Sequence, residues 1–68
     1  MYEGTIKTII IDRGFGFIAV PNQPDCFFHA SELSDDLPFD ELLTERRVLF
    51  DIVESGKGPR AANVRPAE

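Results

Sequence analysis

Arg13-Gly14-Phe15-Gly16-Phe17-Ile18 is the stretch on which the reading of this 68-residue chain turns. Side chains along a strand alternate faces, so Phe15 and Phe17 point to one side while Gly14, Gly16, Ile18 and Val20 point to the other. Two rings at i and i+2 stand about 7 Å apart, a spacing that successive bases of a stretched single strand match. The small glycines suggest a place where a ligand backbone comes close. Asp25 to Ala30 reads as the next strand, with Phe27 and His29 on one face and Cys26, Phe28 and Ala30 on the other. Pro21-Asn22-Gln23-Pro24 separates the two strands, because its prolines cannot continue a ladder. Paired antiparallel, they bring Phe15, Phe17, Phe27 and His29 onto one surface.

A bland alternative is that these rings are core. Ile18, Val20, Cys26 and Phe28 already offer a core face on the same strands, and two apolar faces would suit a sandwich better than a one-layer barrel. His29 alone reads equally as a structural, hydrogen-bonded histidine. Cys26 reads as a small core hydrophobe.

Outward from this pair, Thr5 to Ile11 is rich in β-branched residues and predicts a first strand, closed by a turn at Asp12-Arg13-Gly14. Ser31-Glu32-Leu33 predicts one helical turn capped by Ser31. Residues 34 to 47 form a longer acidic connection in which Asp40 to Arg46 supports another turn. Val48 to Glu54 alternates, with Val48, Phe50 and Ile52 on one face, and predicts a fourth strand. Ser55-Gly56-Lys57-Gly58-Pro59 reads as a turn, and Ala61 to Val64 as a short fifth strand. Five short strands and no long helix predict an all-β fold, a small five-stranded antiparallel barrel.

A chain of 7.6 kDa supports one domain, here residues 1–68. Area scaling gives a folded surface of ~4,300 Å² against ~11,000 Å² extended, enough burial for a single core. One cysteine forbids an internal disulfide, and one Cys with one His cannot build a four-ligand zinc site, so neither metal nor cofactor is expected. No apolar run approaches a membrane span and no leader pattern opens the chain, which predicts a cytoplasmic protein without membrane contact. The net charge of −5 taken whole is adverse to nucleic acid. It is concentrated, however: residues 32 to 47 sum to −4 and the remainder only to −1. A binding face elsewhere escapes strong repulsion.

Taken together, these motifs resemble the cold-shock domain, an OB-fold barrel family that binds single-stranded RNA and DNA. Gly4-Thr5-Ile6-Lys7 resembles its opening strand, and Arg13 to Ile18 its first RNA-binding motif. Asp25-Cys26-Phe27-Phe28-His29 is similar to the second, and Gly58-Pro59-Arg60-Ala61-Ala62-Asn63-Val64 to the closing strand. The resemblance implies a stacking surface of Phe15, Phe17, Phe27 and His29, with Lys7 and Arg13 near phosphates. It further implies a base-contacting aromatic at Phe39, and places Arg60 where a glutamine is common beside the binding face. Thr8 and Ile9 stand where the family has Trp-Phe, Ile10 replaces an asparagine, Ala30 a stacking aromatic, and Glu45 a turn glycine. These departures leave the fold expected but lower the expected affinity.

The implied function is weak, non-catalytic binding of single strands with little sequence readout, as an RNA chaperone or gene-expression regulator. A second reading keeps the fold but makes it a protein-interaction or weakly self-associating module, because Thr8-Ile9-Ile10-Ile11 adds apolar surface. No nucleophile–base pair suggests an enzyme.

Overall fold

The computed structural model describes residues 2–56 and 58–67. Lys57, in the turn read over residues 55–59, lies outside the described residues. Five strands form a closed barrel: β1 (Tyr2–Ile10), β2 (Phe15–Ala19), β3 (Cys26–His29), β4 (Arg47–Ser55) and β5 (Gly58–Pro66), hydrogen-bonded in the order β1-β2-β3-β5-β4. Short 3₁₀ turns at Ile11–Arg13, Ala30–Glu32 and Glu41–Leu43 complete the chain. No helix among the described residues is long and apolar enough to cross a membrane.

The all-β barrel agrees with expectation, but one seam does not run antiparallel. β1 is antiparallel to β2 and to β4, β2 to β3, and β4 to β5. An odd number of strands cannot alternate all the way round a closed ring. β3 and β5 therefore meet in parallel, through Phe27 and Arg60, with a further parallel bridge from Leu33 to Val64.

The core lies inside this ring. Ile6, Ile18, Phe28, Val48, Phe50 and Val64 are each fully buried, and each such side chain contributes roughly 1.5–3 kcal/mol by leaving water. Leu37 and Leu43 come in from the long loop. The total exposed surface is 4466 Å², close to what size alone predicts for one compact unit. Gly16 belongs to this core rather than to ligand access, contrary to the sequence reading. A Cβ there would meet the Phe28 ring at 2.8 Å and the Thr8 carbonyl oxygen. Gly14 serves the turn, at φ +74°, a left-handed conformation that suits glycine.

Several boundaries differ from expectation for identifiable reasons. β1 starts at Tyr2, not Thr5, because Tyr2 and Glu3 pair with Phe50 and Leu49 of β4, Tyr2 stacks on Phe50, and Glu3 pairs with Arg47. β5 starts at Gly58, not Ala61: Gly58 and Pro59 pair with Ser55 and Glu54 beside the hairpin, and a proline is tolerated at a strand start. The turn after β3 is capped by His29 rather than Ser31, since the His29 ring accepts a hydrogen bond from the Ser31 N–H. Asp40 caps the turn at Glu41–Leu43, its carboxylate accepting from the Leu42 N–H at 2.8 Å.

Candidate nucleic-acid interface

The outer face is organised by an irregularity in β1. Ile6 opposes Ile18, but the next facing pair is Thr8 with Phe17, so Lys7 is an extra residue in the ladder. Such a bulge resets the alternation. Beyond it Ile9 opposes Gly16 and packs against the core, whereas Thr8 and Ile10 share the outer face with Phe17 and Phe15. In β3, His29 faces Phe15 and Phe27 faces Phe17. Two rows therefore cross the sheet. One runs Ile10, Phe15, His29; the other runs Thr8, Phe17, Phe27 and, over the parallel seam, Arg60.

The three phenylalanines touch. Ring centroids lie 5.3 Å apart for Phe15 and Phe27, 5.9 Å for Phe15 and Phe17, and 6.1 Å for Phe17 and Phe27. All three are half-buried, while Phe28, one residue along, is fully buried. The barrel interior is thus filled without them, and the sandwich alternative falls. Tilted and edge-on packing holds each ring against its neighbours and leaves the cluster open to solvent on its outer side. His29 joins the edge of the cluster. Its Nδ1 lies 3.2 Å from the Ser31 amide nitrogen, and an amide N–H can only donate. In the neutral ring the proton then sits on Nε2, near Gly14, available as a donor.

The cations are differently disposed. Lys7 Nζ is 3.2 Å from Asp25 Oδ2, and Arg60 Nη2 is 3.2 Å from Glu32 Oε2. Arg13 is exposed beside the turn into β2 and has no ion-pair partner among the described residues. Phe39 makes none of the ring contacts of the cluster. It packs half-buried against the core and lines a shallow depression with Ile11 and Leu42, rimmed by Asp40 and Glu41. Sequence reasoning missed the two carboxylates Asp25 and Glu32 that hold the cations. No alternation or motif marks such partners, since each lies on a different element from its cation.

No cluster of His, Cys, Asp or Glu among the described residues is arranged to hold a metal ion. Cys26 is buried on the core face, and burial pushes its thiol pKa up, with the carboxylates Asp25 and Glu54 adding to the shift. A thiol of that kind stays protonated and weakly nucleophilic.

A closed five-stranded barrel that carries a half-buried three-ring cluster on the outer side of two adjacent strands is a domain of the OB type. The comparisons give that class its family. The family model described as 'Cold-shock' DNA-binding domain matches residues 2–67. The cold shock protein CspA of Staphylococcus aureus (strain USA300) is 41% identical over 64 residues, covering 94% of this chain and 96% of that protein. The protein of the same name from Staphylococcus saprophyticus is 39% identical over the same length. Among solved structures, drosophila Unr CSD456 superposes with a TM-score of 0.77 at 23% identity, over 98% of this chain and 26% of that one, a likeness of fold. This chain belongs to the cold-shock domain family of nucleic-acid-binding proteins.

Proposed function

We propose that the chain binds single-stranded RNA or DNA by stacking three or four bases on Phe15, Phe17, Phe27 and His29, with little sequence readout and no chemistry. The contact between the three phenylalanine rings carries this reading. Every base offers a π-face, so stacking tolerates any sequence, and each stack contributes about 1–3 kcal/mol. The His29 Nε2–H adds a donor at the edge of the stack. Lys7, Arg13 and Arg60 meet phosphates around it. Affinity is low because Thr8 and Ala30 offer no ring where the family's pattern has one. Such a module acts as an RNA chaperone or gene-expression regulator in the cytoplasm, a compartment compatible with the unpaired, buried Cys26.

Anisotropy titrations of labelled single-stranded heptathymidine and of a labelled duplex long enough to stay fully paired test the reading over a salt series. Two or three phosphate contacts give a slope of log affinity on log salt of roughly −1.5 to −2. The duplex is expected to bind far more weakly, because its bases cannot reach the rings. Equal affinity for both forms, or a slope near −5, would contradict stacking as the basis of binding.

One observation favours a second reading, an interaction module for proteins. Leu42 is 88% exposed and Ile11 43% exposed, and with Phe39 they line an apolar depression of about 420 Å³. Under this reading the chain self-associates or captures a protein through that surface. A concentration-dependent sedimentation coefficient that Leu42→Ser abolishes would support it.

A further inference from the structure

Glu32 is placed unlike any other acid among the described residues. It follows the platform residue His29 in the 3₁₀ turn Ala30–Glu32, and its carboxylate reaches across to β5. Oε2 lies 3.2 Å from Arg60 Nη2, and Oε1 accepts from the Asn63 N–H at 3.3 Å. Asn63 is held in the left-handed region, φ 54°, where the β4–β5 ladder shifts register. The carboxylate therefore spans the parallel seam, fixed at both oxygens. Arg60 itself is the seam partner of Phe27 and ends the row of platform residues.

We propose that Glu32 is an affinity-determining residue, a carboxylate that holds the Arg60 guanidinium back from strand phosphate. This rests on the single-strand reading above. A phosphate that uses Arg60 must exchange for a carboxylate already in place, and that carboxylate then remains nearby as a like charge. The exchange also weakens the salt dependence, because Arg60 arrives with an anion of the protein in place of a diffuse counterion. The pair between Lys7 and Asp25 is a poorer brake. Its side chains are 60% and 39% exposed, against 48% and 24% for Arg60 and Glu32, and Asp25 has no second anchor among its described contacts. Solvent screens such open pairs more strongly.

Glu32→Gln tests the proposal, because the amide keeps an oxygen for the Asn63 N–H and removes only the charge. The neutral variant should bind heptathymidine about two- to five-fold more tightly at low salt. Its slope of log affinity on log salt should steepen by about 0.7, one phosphate contact. Arg60→Gln decides whether the effect runs through Arg60. In that background Glu32→Gln should bring no gain; an undiminished gain would mean that Glu32 merely repels the strand, and would overturn the proposal. Phe27→Ala separates this failure from failure of the single-strand reading. If Phe27→Ala loses binding while Glu32→Gln changes neither affinity nor slope, the proposal alone is wrong. If Phe27→Ala binds as wild type does, the stacking reading falls and the proposal falls with it. Thermal melting of Glu32→Gln should stay within a few degrees of wild type, and a folded variant is the condition for comparing affinities.

Discussion

Thr8 is the position where one substitution should do most for binding. It is exposed and stands directly opposite Phe17, at the open end of the row that continues through Phe27 to Arg60. Adjacent strands lie about 4.8 Å apart, so an indole at this position would extend the aromatic surface by one strand width. One added stack contributes about 1–3 kcal/mol, and at 1.4 kcal/mol per tenfold that is roughly 5- to 150-fold in affinity. Thr8→Trp should cost no stability, since the ring displaces no core atom and gains an edge or face contact with Phe17. The chain contains no tryptophan, so the introduced indole is the sole reporter of its kind. Titration with heptathymidine should quench its fluorescence, with a dissociation constant at least five-fold below that of wild type measured by anisotropy. The salt slope should not change, because no charge is added. An unquenched indole at saturating strand would refute the placement of Thr8 on the binding face.

Three further perturbations probe the barrel and its face. Phe17→Ala should weaken strand binding by about 1–3 kcal/mol and melt near wild type, whereas Phe28→Ala should lose about 3–5 kcal/mol of stability and leave little folded protein; reversed melting behaviour would return the outer rings to the core. Glu45 holds φ 72° while its N–H donates to the Ile6 carbonyl oxygen at 2.7 Å, so Glu45→Gly should relieve strain of about 1 kcal/mol net and raise the melting temperature by about 4–8 °C. Because the fold raises the Cys26 pKa, the unfolded chain loses this proton first. The stability this gives is fully present below the ordinary thiol pKa and is lost as pH rises through the folded value; the alkaline fall in denaturant stability should therefore be shallower in Cys26→Ala than in wild type.

Much of this architecture is legible in the chain because the alternation of β2 and β3 is unambiguous. Phe15, Phe17 and Phe27 on one side and Ile18, Cys26 and Phe28 on the other need only the two-residue period of a strand. Thr8-Ile9-Ile10-Ile11 offers no such contrast, since three isoleucines in succession fit either phase. The bulge at Lys7 decides it, turning Ile9 inward and Thr8 and Ile10 outward. At Ala30 alternation gives no guide, because β3 ends at His29 and the 3₁₀ turn begins. Gly58 and Pro59 carry turn chemistry yet belong to β5, since cross-strand pairing to Glu54 and Ser55 overrides local preference. The parallel seam was accessible without coordinates, from the parity of a five-membered ring. The ion pairs of Lys7 and Arg60 were not, because a salt bridge between distant elements leaves no periodic trace.

Amide chemical shifts of the labelled protein, followed while unlabelled heptathymidine is added, test the central claim most directly. Perturbations should concentrate at Thr8, Phe15, Phe17, Phe27, His29 and Arg60, in fast exchange and saturating at a common strand concentration, with Val48, Phe50 and the Asp40–Leu42 turn unmoved. Absence of shifts at millimolar strand, or shifts centred on Ile11, Phe39 and Leu42, would contradict stacking on the β2–β3 face.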